Sequence, residues 1–532
     1  VSCSVSRRCL LVGGVLAALV AGALVAVLVL QPWTGPDHPR FPRAAVAANG
    51  YECASIGREI LERNGSAVDA AIATLFCEGI ACAQCMGLGG GFLATVYDAT
   101  TKQVHVLNAR ERAPAATDVN MFANASSTVG GLAIAVPGEL KGYGALHQRY
   151  GRLPWGELVR PTADLCRRGH RVNSYMARVL KSYRDIIKAE PSIEIYVNAT
   201  TGEVWNEGDH IVEPTLARTL DLIAEEGPEA MHNGTLTAQL VRDIEAFGGI
   251  ITEEDMRNYS ASIPLTKSCI SHTLYSVPLP GSGSVLAFIL NMLRGWIGDG
   301  TEAPVNSELY WHRVVESFKY AYAKRTGLGD PLERNLSDAA WAASFRALVN
   351  DSRTYSDWQH YGALFEGADD HGTAHVVVIA PDGSVVSATS TINYIWGSQR
   401  RSQSLGIMLN NEMDDFAIPN RESAYGLPPS PANMVAPGLQ PLSSMVPSIV
   451  ISKAGSVDLV LGAAGGTKIT TQVALVSSSF LEIGTSLSDA INRPRLHHQL
   501  LPMEVQHEEN FDPFKSVEAK TFRQITYVNL IA

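Results

Sequence analysis

The chain has 532 residues, of which 46% are apolar and 18% charged, a globular composition with room for one large domain or two to four smaller ones. Its net charge of −11 argues against a nucleic-acid partner, which calls for a basic face. The same average field repels anions, so any anionic substrate needs local cations.

Residues 10–30 read LLVGGVLAALVAGALVAVLVL, a run that spans about 30 Å as a helix, the thickness of a bilayer's hydrocarbon core. Arg7 and Arg8 precede it, and the uncharged start of QPWTGPDHPR follows it with Trp33 at interface depth. The positive-inside rule puts residues 1–9 in the cytosol and the remainder outside. The apolar run is longer than the core of a cleaved signal peptide, so it reads as a retained anchor. Residues 31–45 form a Pro-rich stem. Seven N-x-S/T sequons, at Asn64, Asn124, Asn198, Asn233, Asn258, Asn335 and Asn350, suit an outside location and all lie upstream of Thr373. Cys53, Cys77, Cys82, Cys85, Cys166 and Cys269 fall on the outside, where disulfides persist, and spacing alone leaves their pairing open.

Next come two helical patterns, ECASIGREILERNG and SAVDAAIATLFCEG, broken at Asn64-Gly65, with Ser66 placed to cap the second. GLGGGFLATVYDATTKQVHVLNARER gives glycines, a strand, a turn and a strand. Residues 130–345 are mostly helical in pattern. From residue 373 strands dominate: TAHVVVIAPDGSVVSATSTIN is a hairpin, VPSIVISKAGSVDLVLGAAGG a second, and TKITTQVALVSSSFLEIG a helix. This mix predicts helix-covered sheets, an α/β or α+β architecture. In the first hairpin a three-residue loop centred on Asp382 pairs Ala380 with Ser384 and Thr373 with Thr391, whose Cβ atoms then lie about 4.5–5.5 Å apart, while a two-residue loop shifts the pairing by one. Strand alternation puts Asn393 on the face of Thr391.

Beyond it, NNEMDDF gathers Glu412, Asp414 and Asp415, a cluster fit for an ammonium or for a solvated turn. PLSSM gives adjacent hydroxyls at Ser443 and Ser444. GAAGGTKIT puts Gly465 and Gly466 between a strand and a helix, where backbone N–H groups suit an oxyanion. These segments with PPSPANM, and upstream MGLGGGF, NARERAP, AVPGELKGYG, HQRYGRLPW and RTGLGDP, resemble in order the γ-glutamyltransferase (glutathione hydrolase) family from about residue 45 to Pro502.

The resemblance implies a four-layer αββα sandwich of the N-terminal-nucleophile hydrolase type, α+β in class. It implies a precursor that cuts itself at Gly372–Thr373 into a large subunit (46–372) and a small one (373–532), held together as a heterodimer. Thr373 is then the nucleophile, with its freed α-amine as base, and Thr391 polarises its hydroxyl. Arg110, Ser443 and Ser444 hold the α-carboxylate of a γ-glutamyl group, Asn393, Glu412 and Asp415 its ammonium, and Gly465 and Gly466 the oxyanion. Water, an amino acid or a dipeptide resolves the ester, and no metal or organic cofactor is called for. The implied setting is the cell surface, a single-pass type II protein acting on glutathione and its conjugates. The alternatives are a relative specialised for leukotriene or other glutathione conjugates, and an inactive surface-binding protein. His371 and His375 flank the threonine, but the freed amine already supplies a base; His497-His498 reads as structural.

Cys53 and Cys77 stand where the family has a disulfide. The Cys82-x-x-Cys85 pair is not part of the family pattern and suggests a local disulfide. Three departures stand out. Val377 replaces a usual Ser or Thr. Ile395 replaces one of an aromatic pair in a loop that lids the family's pocket. The tail after Leu500-Leu501-Pro502 reads as truncated or altered, which predicts an unpaired edge in the central sheet.

Overall fold

The computed structural model describes residues 44–265, 274–297, 307–329, 336–367, 372–419, 425–452, 454–509, 511, 520–522 and 528–531. The expected anchor at residues 10–30 and residues Cys269, Asn335 and His371 lie outside them. Among the described residues no helix is long and apolar enough to cross a membrane.

In chain order the framework begins with strand β1 (Ala45–Ala47) and helices α1 (Tyr51–Glu62) and α2 (Ala67–Ala81). Strands β2 (Gly91–Asp98) and β3 (Gln103–Ala109) follow, then helices α3 (Glu139–Tyr150) and α4 (Trp155–Arg168). After a helix-rich stretch come β4 (Leu274–Tyr275), α5 (Gly283–Ile297) and α6 (Glu308–Arg325). The last part holds β5 (Ala374–Ile379), β6 (Val385–Thr391), β7 (Ser448–Ile451), β8 (Val457–Ala463), α7 (Lys468–Leu481) and β9 (Val528–Ile531).

One sheet runs β1-β5-β6-β2-β3 and another β9-β8-β7-β4. Side-chain alternation assigns the layers. Val377, Val385, Tyr97 and Val104 of the first sheet meet Ile449, Ile451 and Val460 of the second in one apolar cluster. Val376, Val378, Val386 and Ala388 point the other way, into a core shared with α1, α2, α3 and α4. Val450, Leu459 and Leu461 face α5, α6 and α7. The order helix–sheet–sheet–helix is the four-layer sandwich expected. It also explains Val377: its side chain is enclosed between the sheets, where valine packs and a hydroxyl would need a partner.

Ser66 caps α2 as expected, in a capping box with Asp69. A disulfide joins Cys53 of α1 to Cys77 of α2. Two expectations are corrected. Cys82 and Cys85 are free buried thiols rather than a local disulfide; Cys82 ends α2, and its hydrogen bond with Cys85, together with burial, keeps its thiol protonated. The second sheet is not left with β8 as a bare edge, because β9 pairs antiparallel along it, Ala463 with Val528 through Val460 with Ile531.

Candidate active site

The first hairpin takes the register of the three-residue loop, Val385 opposite Ile379 and Ser390 opposite Ala374. The Ala380 N–H donates to the Ser384 carbonyl at 2.9 Å. Gly383 closes the three-residue loop at φ 85°, the left-handed position that such a loop requires. On its other side β6 pairs with β2, Thr391 opposite Gly91. The neighbouring Gly90 explains part of the glycine run: a Cβ there would sit 2.1 Å from the Thr391 carbonyl oxygen.

Thr373 and Thr391 meet at the Gly372 carbonyl. The Thr373 hydroxyl donates to that oxygen at 2.6 Å, and the Thr391 hydroxyl donates to the same oxygen. The Asn393 N–H donates to Thr391 Oγ1 at 2.8 Å, which leaves the Thr391 hydrogen aimed at the carbonyl. The Gly372 N–H donates in turn to the Asn393 carbonyl at 2.6 Å. Only glycine fits at 372, because a Cβ would lie 2.7 Å from that carbonyl oxygen. A carbonyl held by two hydroxyls, one of them on the next residue, is arranged for an intramolecular acyl shift. Asn393 departs from the strand alternation expected of it. Its φ is 71°, so β6 has ended, and its side-chain amide donates to the Asn411 carbonyl at 3.2 Å.

His375 is no base for this centre. Burial pushes it down to about 3, its Nδ1 lies 2.8 Å from Thr389 Oγ1, and its ring fills the space beside Gly462 of the second sheet. That contact brings the end of β8 beside β5. Gly465 and Gly466 follow at φ 126° and 63°, and their carbonyls accept the first N–H bonds of α7. His497 is likewise pushed down to about 3 by burial and bonds Thr471 and Gln499. Among the described residues no group of three or more His, Cys, Asp or Glu is placed to hold a metal ion.

A second cluster joins β3 to the turn Glu412–Asp415. Arg110 and the acids, which the resemblance assigns to opposite ends of a ligand, pair directly with each other here. Arg110 Nη2 lies 2.5 Å from Asp415 Oδ2, and Nη1 pairs with Glu412. All three are at most 1% exposed. Burial opposes the Arg110 charge, but Glu412, Asp415 and Glu111 outweigh it and hold the guanidinium ionised. Arg110 also donates to the carbonyls of Pro441 and Leu442, at 3.3 and 3.0 Å. This brings the Ser443-Ser444 segment against it. The cluster sets one buried cation between two buried anions, so neither sign of charge is left alone.

Two buried acids escaped the sequence reading. Glu111, 3.7 Å from Arg110, is pushed up to about 7 by burial against the pull of that arginine. Glu139 accepts from Tyr143 at 2.5 Å and from Ser390, the neighbour of Thr391, at 2.9 Å. Burial pushes it up to about 8, against these two hydrogen bonds. The folded protein thus keeps a proton that the unfolded chain releases near pH 4.3. The stability linked to this proton is whole below about pH 4 and falls until about pH 8. Glu139→Gln is therefore expected to gain thermal stability over the wild type by an amount that grows from pH 5 to pH 8. Unfolding curves across that range check it; a constant difference would contradict the assignment.

A cleft beside the cluster is lined by Tyr394, Asp414, Phe416, Asn433, Leu442 and Arg325. Tyr394 is the aromatic of the 394–397 loop that faces it. Trp396 turns inward, fully buried, its ring 4.6 Å from that of Tyr196.

A sequence model of the family described as "Gamma-glutamyltranspeptidase" matches residues 53–522. The chain is 41% identical over 488 residues to Scoloptoxin SSD14 of Scolopendra dehaani, covering 88% of this chain and 84% of the relative. It is 38% identical over 508 residues to the Glutathione hydrolase 5 proenzyme of Mus musculus, covering 92% and 87%. In fold it is similar to the crystal structure of a cephalosporin acylase from Bacillus halodurans, with a TM-score of 0.74 and 22% identity over 91% of this chain and 89% of that one.

Proposed function

The chain belongs to the γ-glutamyltranspeptidase family, a family of γ-glutamyl hydrolysis and transfer, and from that premise we propose that it is made as a precursor, cuts itself before Thr373 and uses Thr373 as its nucleophile. The observation that carries this reading is the pair of hydroxyls on the Gly372 carbonyl. Thr373 Oγ1 adds to that carbonyl carbon, Thr391 stabilises the charge growing on the oxygen, and the C–N bond breaks to give an ester and a free amine. Water hydrolyses the ester and leaves two pieces, residues 1–372, which carry the large subunit (46–372), and residues 373–532, the small subunit. The word "proenzyme" in the name of the mouse relative is in keeping with this.

The freed α-amine, titrating near pH 7.7–8.0, takes the proton of the Thr373 hydroxyl as it attacks the γ-carbonyl of a glutathione-type donor. Arg110, with Ser443 and Ser444, takes the donor's α-carboxylate; Glu412, Asp415 and Asn393 take its ammonium. Gly465 and Gly466 offer N–H groups to the tetrahedral oxyanion. The amine of the leaving group departs with a proton, and the γ-glutamyl–Thr373 ester passes its acyl group to water or to an amino acid or dipeptide. Hydrolysis of a γ-glutamyl anilide, read as dye release, tests the reading; a folded protein that releases none would overturn it.

We place this chemistry on the outside of a membrane, anchored through residues 10–30. Of the described sequons Asn64, Asn124, Asn233, Asn258 and Asn350 are exposed and Asn198 half-buried, so glycan attachment is sterically open. Glycosidase treatment is expected to shift only the larger fragment on a denaturing gel, since no sequon follows Thr373.

A further inference from the structure

Ser444 is held by a residue that the reading above leaves idle. Arg325, the last residue of α6 and 4% exposed, donates from Nη2 to Ser444 Oγ at 3.2 Å. We propose that Arg325 is a positioning residue for recognition of the donor's α-carboxylate, acting through the Ser444 hydroxyl. This assignment rests on the proposed role of Ser444.

A serine hydroxyl has one hydrogen to donate and two lone pairs to accept with. When a guanidinium N–H takes a lone pair, the hydroxyl hydrogen is directed to another acceptor. The cationic donor also draws charge from the oxygen and strengthens the hydrogen bond that the hydroxyl gives. Ser444 thereby becomes a fixed donor, as an anion requires. Its backbone is fixed too, because its carbonyl accepts from Thr470 of α7 at 3.2 Å. The same face of α6 reaches the oxyanion junction: Tyr322, one turn before Arg325, donates its hydroxyl to the Thr467 carbonyl, next to Gly466. Helix α6 therefore braces Ser444 and the Gly465-Gly466 turn together. Arg325 also lines the cleft beside Leu442 and Asp414. On a chain of net charge −11 it adds a second buried cation, after Arg110, on the side where a carboxylate must be drawn in.

The test compares two donors, L-γ-glutamyl anilide and 4-aminobutyryl anilide, which lacks the α-carboxylate. Arg325→Met is expected to lower kcat/KM for the γ-glutamyl donor about ten-fold, mainly through KM, and to change the rate with the second donor by less than about two-fold. Arg325→Lys, which keeps a cationic donor on a different geometry, is expected to lose less and with the same donor dependence; it carries the comparison if Arg325→Met does not fold. Arg325→Met combined with Ser444→Ala is expected to be no worse than Ser444→Ala alone. Equal losses with both donors, or additive losses in the double variant, would overturn the assignment and leave Arg325 a packing residue. A wild type inert toward both donors would instead overturn the functional reading and this assignment with it. A wild type that is active, with the carboxylate-dependent loss in Ser444→Ala but not in the Arg325 variants, would overturn the assignment alone.

Discussion

Thr373→Ala is expected to leave a single uncut chain and to lower turnover of a γ-glutamyl anilide by about ten-thousand-fold or more, the scale on which removal of a covalent nucleophile acts. Both effects come from the missing hydroxyl. The Gly372 carbonyl keeps its bond from Thr391, so it stays polarised but has no neighbour to attack it. Thr373→Ser keeps the nucleophile and loses the methyl group that restricts its rotamer; it is expected to cut more slowly and to retain activity. Gel mobility and dye release on the three proteins separate these outcomes. A Thr373→Ala protein that cuts at the wild-type rate would assign the nucleophile elsewhere.

Arg110→Ala is expected to act twice. Glu412 and Asp415 lose the guanidinium that neutralises them while they remain at most 1% exposed. Breaking a buried pair in this way costs about 3–5 kcal/mol of stability. In the folded fraction the donor's α-carboxylate loses its main cation, and kcat/KM is expected to fall roughly a hundred-fold, mostly through KM. Cutting at Gly372–Thr373 needs no bound glutamate and is expected to continue. Arg110→Lys keeps one charge but not the fork that reaches both acids, and is expected to recover stability more than binding. Thermal unfolding and kinetics on the same preparations read the two effects apart. Full stability with unchanged KM in Arg110→Ala would contradict both roles.

The parts of the fold that local chemistry determines were legible in the sequence. Pro381-Asp382-Gly383 sets the loop length, and the loop sets the register that puts Thr391 beside Thr373. Ser66 and Asp69 spell out a helix cap. Val377 reads as a departure in the motif and as a good fit once the second sheet is known to lie against it. What stayed hidden depends on long-range contact. Nothing within NARERAP or NNEMDDF says that Arg110 closes onto Glu412 and Asp415, some three hundred residues away. An isolated glutamate is usually solvated, so nothing local marks Glu111 or Glu139 as buried; the signal is their place beside Arg110 and at the end of VPG, against the glycine-rich end of β2. Nor does the sequence of the 394–397 loop say which aromatic faces the cleft: Trp396 is a buried plug and Tyr394 lines the opening. The bare edge expected from the tail is absent because Val528–Ile531 pairs along β8, a long-range contact that the tail's own residues do not announce.

The most direct test of the central claim is the amino-terminal sequence of the smaller fragment from the wild-type protein. The expected sequence is Thr-Ala-His, beginning at Thr373 and continuing into β5. A fragment that starts at any other residue, or an active protein that stays in one piece, would contradict it.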